Sequence, residues 1–160
     1  MLTLEELSAI EEIKQLKAKY FRMMDSKNWT EWRTVFTDDM RLDVDQTVPD
    51  EQGNVVQSPA VCGGDNVVAS VSTLLKDFTT VHHGHTFEIT IESPSTASGI
   101  WAMEDIVKTP NGKLHGAGHY HEKYIKIEGQ WYIQYSHLTR LYLDVSGSFM
   151  DDVAKTAYLT

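Results

Sequence analysis

Beyond Phe78 the chain offers strand after strand. Four segments, Thr80 to Glu92, Ala97 to Thr109, Lys113 to Ile127 and Gln130 to Val145, are all strand-like. The links between them, Ser93-Pro94-Ser95, Pro110-Asn111-Gly112 and Glu128-Gly129, are short turn sequences that join antiparallel neighbours and leave no room for a crossover helix. Half of the molecule is thus committed to a meander of long strands. The helical signals all precede it, so the fold class is α+β.

Thr3 and Glu6 have the spacing of a capping box, and Leu7, Ile10, Ile13, Leu16, Tyr20 and Met24 then recur at helical intervals. Asp25-Ser26-Lys27-Asn28 ends this first helix. Trp29 to Phe36 reads as a short second one, packed through Trp29, Trp32 and Phe36. Met40 to Val44 alternates as a strand, and Asp65 is placed to cap a third helix bearing Val67, Val68, Val71, Leu74 and Leu75. Between them, Gln46 to Gly64 is rich in proline, glycine and acids, and a loop of that length is a candidate pocket lid. Three helices cannot cover both faces of a long twisted sheet, so the sheet is expected to curl around them as a cone with an interior cavity. A row of Ile125, Ile127, Trp131, Ile133 and Tyr135 on the outer side favours an oligomer formed through the sheet. No repeat or domain boundary interrupts the 160 residues, which predicts one domain with its core over about 4–145 and a tail from Asp151 of terminal helix or loose chain.

A formal charge of −9 repels phosphate backbones and anionic lipid, and no segment gathers Lys and Arg. Nucleic acid and membrane are therefore not expected partners. Neither a signal sequence nor a long apolar run is present, which leads to an expected cytoplasmic location. Cys62, the single cysteine, has no partner for an intrachain disulfide.

The chemistry-bearing residues gather in the strands. Asp105 is in phase with Trp101, Met103 and Val107, and a carboxylate on such an apolar row must find a partner, either a histidine or an arginine. An imidazole oriented by a carboxylate can move a proton near neutral pH, and His82 is the first candidate for that partnership, with His85 in reserve. Simple alternation sends His83 and His85 to the side of Phe87, Ile89 and Ile91 and His82 to the other, unless Gly84 marks a bulge that breaks the phase. Tyr20 can donate a hydrogen bond to a substrate oxygen and Asp25 can orient a hydroxyl or accept a proton, provided that the end of the first helix points inward. Seven histidines raise the question of a metal, but no zinc-type spacing is present, and the alternating His119 and His121 read as surface residues. No glycine-rich phosphate loop occurs either, so neither metal nor nucleotide cofactor is expected.

The order of elements, with Lys19-Tyr20-Phe21-Arg22-Met23-Met24-Asp25, the His82 to Ile91 segment, Trp101-Ala102-Met103-Glu104-Asp105 and Glu128-Gly129-Gln130-Trp131-Tyr132-Ile133, resembles the SnoaL-like branch of the NTF2-like superfamily. Within it the group containing bile acid 7α-dehydratase and scytalone dehydratase is the most similar. The resemblance covers about Leu4 to Leu143. It implies a cone-shaped α+β fold with catalytic roles for Tyr20, Asp25, His82 and Asp105, the last as carboxylate partner of the histidine, and it places Arg140 where the bile acid enzyme has an arginine. Arg140, His85, Trp101 and Met24 are assigned to the substrate pocket. Two pocket tyrosines of that enzyme fall on Val44 and Leu114, and the Gln46 to Gly64 loop is longer, so the substrate differs more than the chemistry. The implied activity is a cofactor-independent dehydratase or isomerase for a hydrophobic, polycyclic small molecule, in a homodimer or homotrimer. Because such cones also serve as binding modules and interaction domains, a non-catalytic carrier of an apolar ligand and an oligomerising domain stand as alternatives.

Overall fold

The structure, a computed structural model, describes residues 1–157. The first helix, α1 (Leu4–Asp25), begins with both halves of the capping box: Thr3 accepts from the Glu6 backbone N–H at 3.1 Å, and Glu6 accepts from the Thr3 N–H at 2.7 Å. Its buried stripe is Ala9, Ile13, Leu16, Lys17, Tyr20, Met23 and Met24. The second helix, α2 (Trp29–Arg33), is capped by Asn28 and is shorter than the sequence pattern suggests. Phe36 already opens the strand β1 (Phe36–Val44), because it pairs with Ile133 while the Ile133 N–H donates to the Val35 carbonyl at 2.9 Å. A short strand β2 (Val61–Cys62) and helix α3 (Gly64–Leu75) follow. Gly63, not Asp65, occupies the cap of α3, at φ 96°; Asp65 in the first turn instead pairs with Arg33.

The meander then runs as β3 (Thr79–Ser93), β4 (Thr96–Lys108), β5 (Gly112–Ile127) and β6 (Gln130–Gly147), within a residue or two of the expected limits. The six strands form one mixed sheet in the order β2-β1-β6-β5-β4-β3, antiparallel throughout except where β1 lies parallel to β6. A last helix, α4 (Phe149–Ala157), takes up the described part of the tail. Asp152 ties it down by accepting from the Thr109 hydroxyl and from the Asn111 backbone and side chain.

Irregular register, more than strand length, shapes the sheet. On β6 the pairing jumps from Ile133 to Tyr135 and from Arg140 to Tyr142, leaving Gln134 and Leu141 as extra residues. Such bulges sharpen twist and change which residues face inward. Trp131 and Ile133 are inward before the first bulge, and Ser136, Leu138 and Arg140 after it, all of them buried. The expected outer row is thereby corrected: Trp131 and Ile133 belong to the core, and the case for an oligomer built on them lapses. The Gln46 to Gly64 segment is corrected as well. It is held to the β1 edge by β2 and by the Asp45–Gln57 bridge, and none of its residues lines the groove described below.

Candidate functional site

Bulging in β3 decides where the histidines go. The register passes from Gly84 opposite Met103 to Phe87 opposite Trp101, so two residues, His85 and Thr86, stand against Ala102 alone. Before the bulge Thr80 and His82 face inward, and after it Ile89 and Ile91 do. Gly84 is required at this point, because a Cβ there would lie 2.8 Å from the Phe21 ring and 3.0 Å from Trp101. The phase break anticipated at Gly84 therefore exists, and His82 turns inward beside the end of α1.

There it meets Asp25. His82 Nδ1 lies 2.7 Å from Asp25 Oδ1, the His82 backbone N–H donates to Oδ2 at 2.8 Å, and the Thr80 hydroxyl donates to Oδ1 at 2.8 Å. Lys27 Nζ in turn donates to the Thr80 hydroxyl at 2.7 Å. Partial burial pushes the Asp25 carboxyl up, but the imidazole, the backbone N–H and the hydroxyl outweigh it and hold its pKa below the ordinary value. Asp25 is thus an ionised acceptor, and the ring nitrogen facing it is the protonated one. Nε2, on the other side of the imidazole, makes no hydrogen bond with any described residue.

Asp105 pairs differently from expectation. It stands directly across from His82 in the β3–β4 register, yet its carboxylate is taken by Arg140, whose Nη1 and Nη2 reach its two oxygens at 2.6 and 3.0 Å. Both residues are buried. A bidentate guanidinium satisfies a buried carboxylate more fully than one imidazole can, and Gly116 leaves the space: a Cβ there would sit 2.2 Å from Arg140 Nη1 and 2.4 Å from Asp105 Oδ1. The expected His82–Asp105 pair is accordingly replaced by two pairs, His82–Asp25 and Arg140–Asp105. Gly116 in β5 was the sequence signal for a bulky buried group alongside, whereas Gly118 makes room for the Thr139 backbone.

A groove of about 590 Å³ runs between α1 and β3. Asp25, His82, Trp101, Phe21, Arg22 and Lys17 line it, and His83 and His85 reach it along the free edge of β3. Its volume suits a small molecule. Tyr20 and Met24 do not line this groove: both are buried in the core, Tyr20 against Trp32, Phe36 and Tyr120. Burial, then the nearby Glu122 carboxylate, pushes the Tyr20 phenol well up, so its neutral form is favoured over the phenolate.

Behind the groove lies a polar network that the sequence did not reveal. Lys17 is buried with its ammonium 4.0 Å from the Tyr20 ring centre and 3.8 Å from that of Tyr120, and it donates to Glu122. Glu122 also accepts from the Tyr124 and Ser136 hydroxyls, and Tyr124 accepts from Trp101 Nε1 at 2.8 Å. Lys17 sits between Ile13 and Tyr20 on the apolar stripe of α1, the one clue available in advance. Desolvation lowers its pKa against the pull of Glu122.

Several solved structures share this architecture. A protein of unknown function from Mycobacterium tuberculosis superposes with a TM-score of 0.73 at 21% identity, over 96% of this chain and 87% of that one. The hexachlorocyclohexane dehydrochlorinase LinA-type3 from Novosphingobium barchaimii gives 0.72 at 16% identity, over 89% and 93%. A candidate scytalone dehydratase from Novosphingobium aromaticivorans gives 0.66 at 19% identity, over 89% and 91%. At such identities the likeness is one of fold, and it is the NTF2-like cone. The sequence profile of the SnoaL-like domain matches residues 5–137, and the chain belongs to that family.

Proposed function

We propose that this protein is a lyase or isomerase that moves a proton with His82 on a hydrophobic, ring-containing small molecule held between α1 and β3. The observation that carries this reading is the His82–Asp25 contact at 2.7 Å on the wall of the groove. Asp25 fixes the tautomer with Nδ1 protonated, which leaves the Nε2 lone pair as the base. Nε2 takes a proton from carbon, and the electron pair left behind forms a C=C bond while a hydroxyl or halide leaves the adjacent carbon. In an isomerase the same proton is returned at another carbon. Arg22, which forms no ion pair among the described residues, lines the groove and offers positive charge to a developing oxyanion or departing anion. Phe21, Phe87 and Trp101 supply the apolar wall that favours rings over extended polar substrates. The family and its structural neighbours, which include a dehydrochlorinase and a candidate dehydratase, fit elimination chemistry.

The test is incubation of the protein in deuterated water with cyclic hydroxy-ketones, polycyclic ketones and halogenated cyclohexanes, followed by mass spectrometry. The expected result is loss of water or hydrogen halide, or deuterium incorporation, for one class. Stoichiometric binding without any of these changes would overturn the catalytic reading in favour of a ligand-binding module.

A further inference from the structure

On the face of β3 and β4 opposite to the His82–Asp25 pair, a second constellation is assembled. His83 pairs across the ladder with Glu104, as His82 does with Asp105, so one step along both strands separates the two faces. His83 and His85 alternate onto the same side, with ring centroids 5.5 Å apart. His85 Nε2 lies 2.9 Å from one Glu104 oxygen, and His115 Nε2, from β5, lies 2.8 Å from the other. One ligand atom from each of His83, His85 and Glu104 falls within 4.8 Å of the other two, which among the described residues no other set of three such groups matches.

From this geometry we propose that His83, His85 and Glu104 form a binding site for a divalent transition metal of the zinc type. Two imidazoles and one carboxylate are a donor set for such ions, with a fourth position open to water. Ligand atoms around tetrahedral zinc stand about 3.3 Å apart, given metal–ligand bonds of about 2.0–2.1 Å. The three ligand atoms already lie within 4.8 Å of one another, so reaching that spacing means opening the 2.9 Å His85–Glu104 contact slightly and drawing in His83, and both histidines are exposed. The β3 bulge assists: the residue facing His85 across the ladder is Ala102, whose methyl group leaves the imidazole room to lean toward Glu104. His115 is a positioning residue. Its hydrogen bond to the distal Glu104 oxygen holds the carboxylate in place and leaves the other oxygen to the metal. His83 and His85 also reach the edge of the groove, but the site uses neither His82 nor Asp25, the pair assigned to proton transfer.

The experiment is isothermal titration of zinc chloride into the untagged full chain, with cobalt absorption spectra as a second readout of coordination. One ion should bind per chain, with the visible bands of four-coordinate cobalt. His85→Ala and Glu104→Gln should each abolish that binding, and His115→Ala should weaken it about 10–100-fold. His119→Ala, on the neighbouring histidine row, should leave the isotherm unchanged, and circular dichroism should show every variant folded. Absence of saturable binding by the wild type, or binding that survives His85→Ala or Glu104→Gln, would overturn the site. Loss of binding in His119→Ala alone would do so equally, by moving the metal to the row of His119, His121 and His137.

Discussion

Asp25 collects three hydrogen bonds, and two of them come from a single residue, His82, through its backbone and its ring. The carboxylate therefore fixes both the strand and the imidazole it carries. Asp25→Asn keeps the shape but cannot hold the ring in one tautomer. Nitrogen-15 NMR of the wild type should show His82 protonated at Nδ1 and bare at Nε2, and the variant should show a mixture. Its turnover should fall by about 10²–10⁴-fold, the usual worth of a proton-transfer group. Arg140 illustrates the opposite dependence. Arg140→Ala leaves Asp105 buried and unpaired, which typically costs about 3–5 kcal/mol. Urea denaturation should register that loss, and Arg140→Lys should recover only part of it, since an ammonium cannot reproduce the two-pronged contact.

At the scale of elements, bulges and glycines decide what strands of this length can hold. Gly116→Ala pushes a methyl group into the Arg140–Asp105 pair from the floor of β5, so its denaturation midpoint should drop toward that of Arg140→Ala although no charge has been removed. A midpoint equal to the wild type would mean that the pair has another place to go. The four strands of the meander and α1 were legible in the sequence because their periodicity is long and their turns are short. The end of α2 was not, because a few residues after Trp29 fit helix or strand equally and only pairing with Ile133 settles them. The inward row of β6 was hidden for a related reason: one extra residue at Gln134 reverses the phase, and no local residue type announces it. Gly84 did announce the β3 bulge. Within the candidate site, His82, Asp25 and Trp101 were legible, whereas Tyr20 and Met24 fall in the core and Lys17 and Arg22 were missed. The pairings were hidden too, since His82 and Asp105 do face each other across the ladder and only the third dimension brings α1 and β6 into competition for them.

For the whole molecule, titration sets the limits of stability on both sides. Asp25 and Asp152 have pKa values below their unfolded ones: Asp25 because hydrogen bonds overcome burial, Asp152 through Asn111 and Thr109. Their contribution is present above the unfolded carboxylate pKa of about 3.9 and is lost as pH falls through the lower folded values. Tyr20, Tyr120 and Tyr124 are raised, chiefly by burial. Their neutral form is favoured by the fold, so their contribution holds below an unfolded pKa of about 10 and is lost as pH climbs above it. Lys17 and Lys27, both lowered by desolvation, work against this alkaline loss but are outnumbered by the tyrosines. The urea midpoint plotted against pH should be a plateau that falls at both ends. A midpoint that keeps rising above pH of about 10 would contradict the burial of the tyrosines.

The central claim is that His82, held by Asp25, is the group that moves the proton. Its most direct test is kcat/KM for His82→Ala against the wild type, on the substrate class that the wild type converts, with circular dichroism confirming the fold. A fall of about 10²–10⁴-fold is predicted; a variant as active as the wild type would contradict the account.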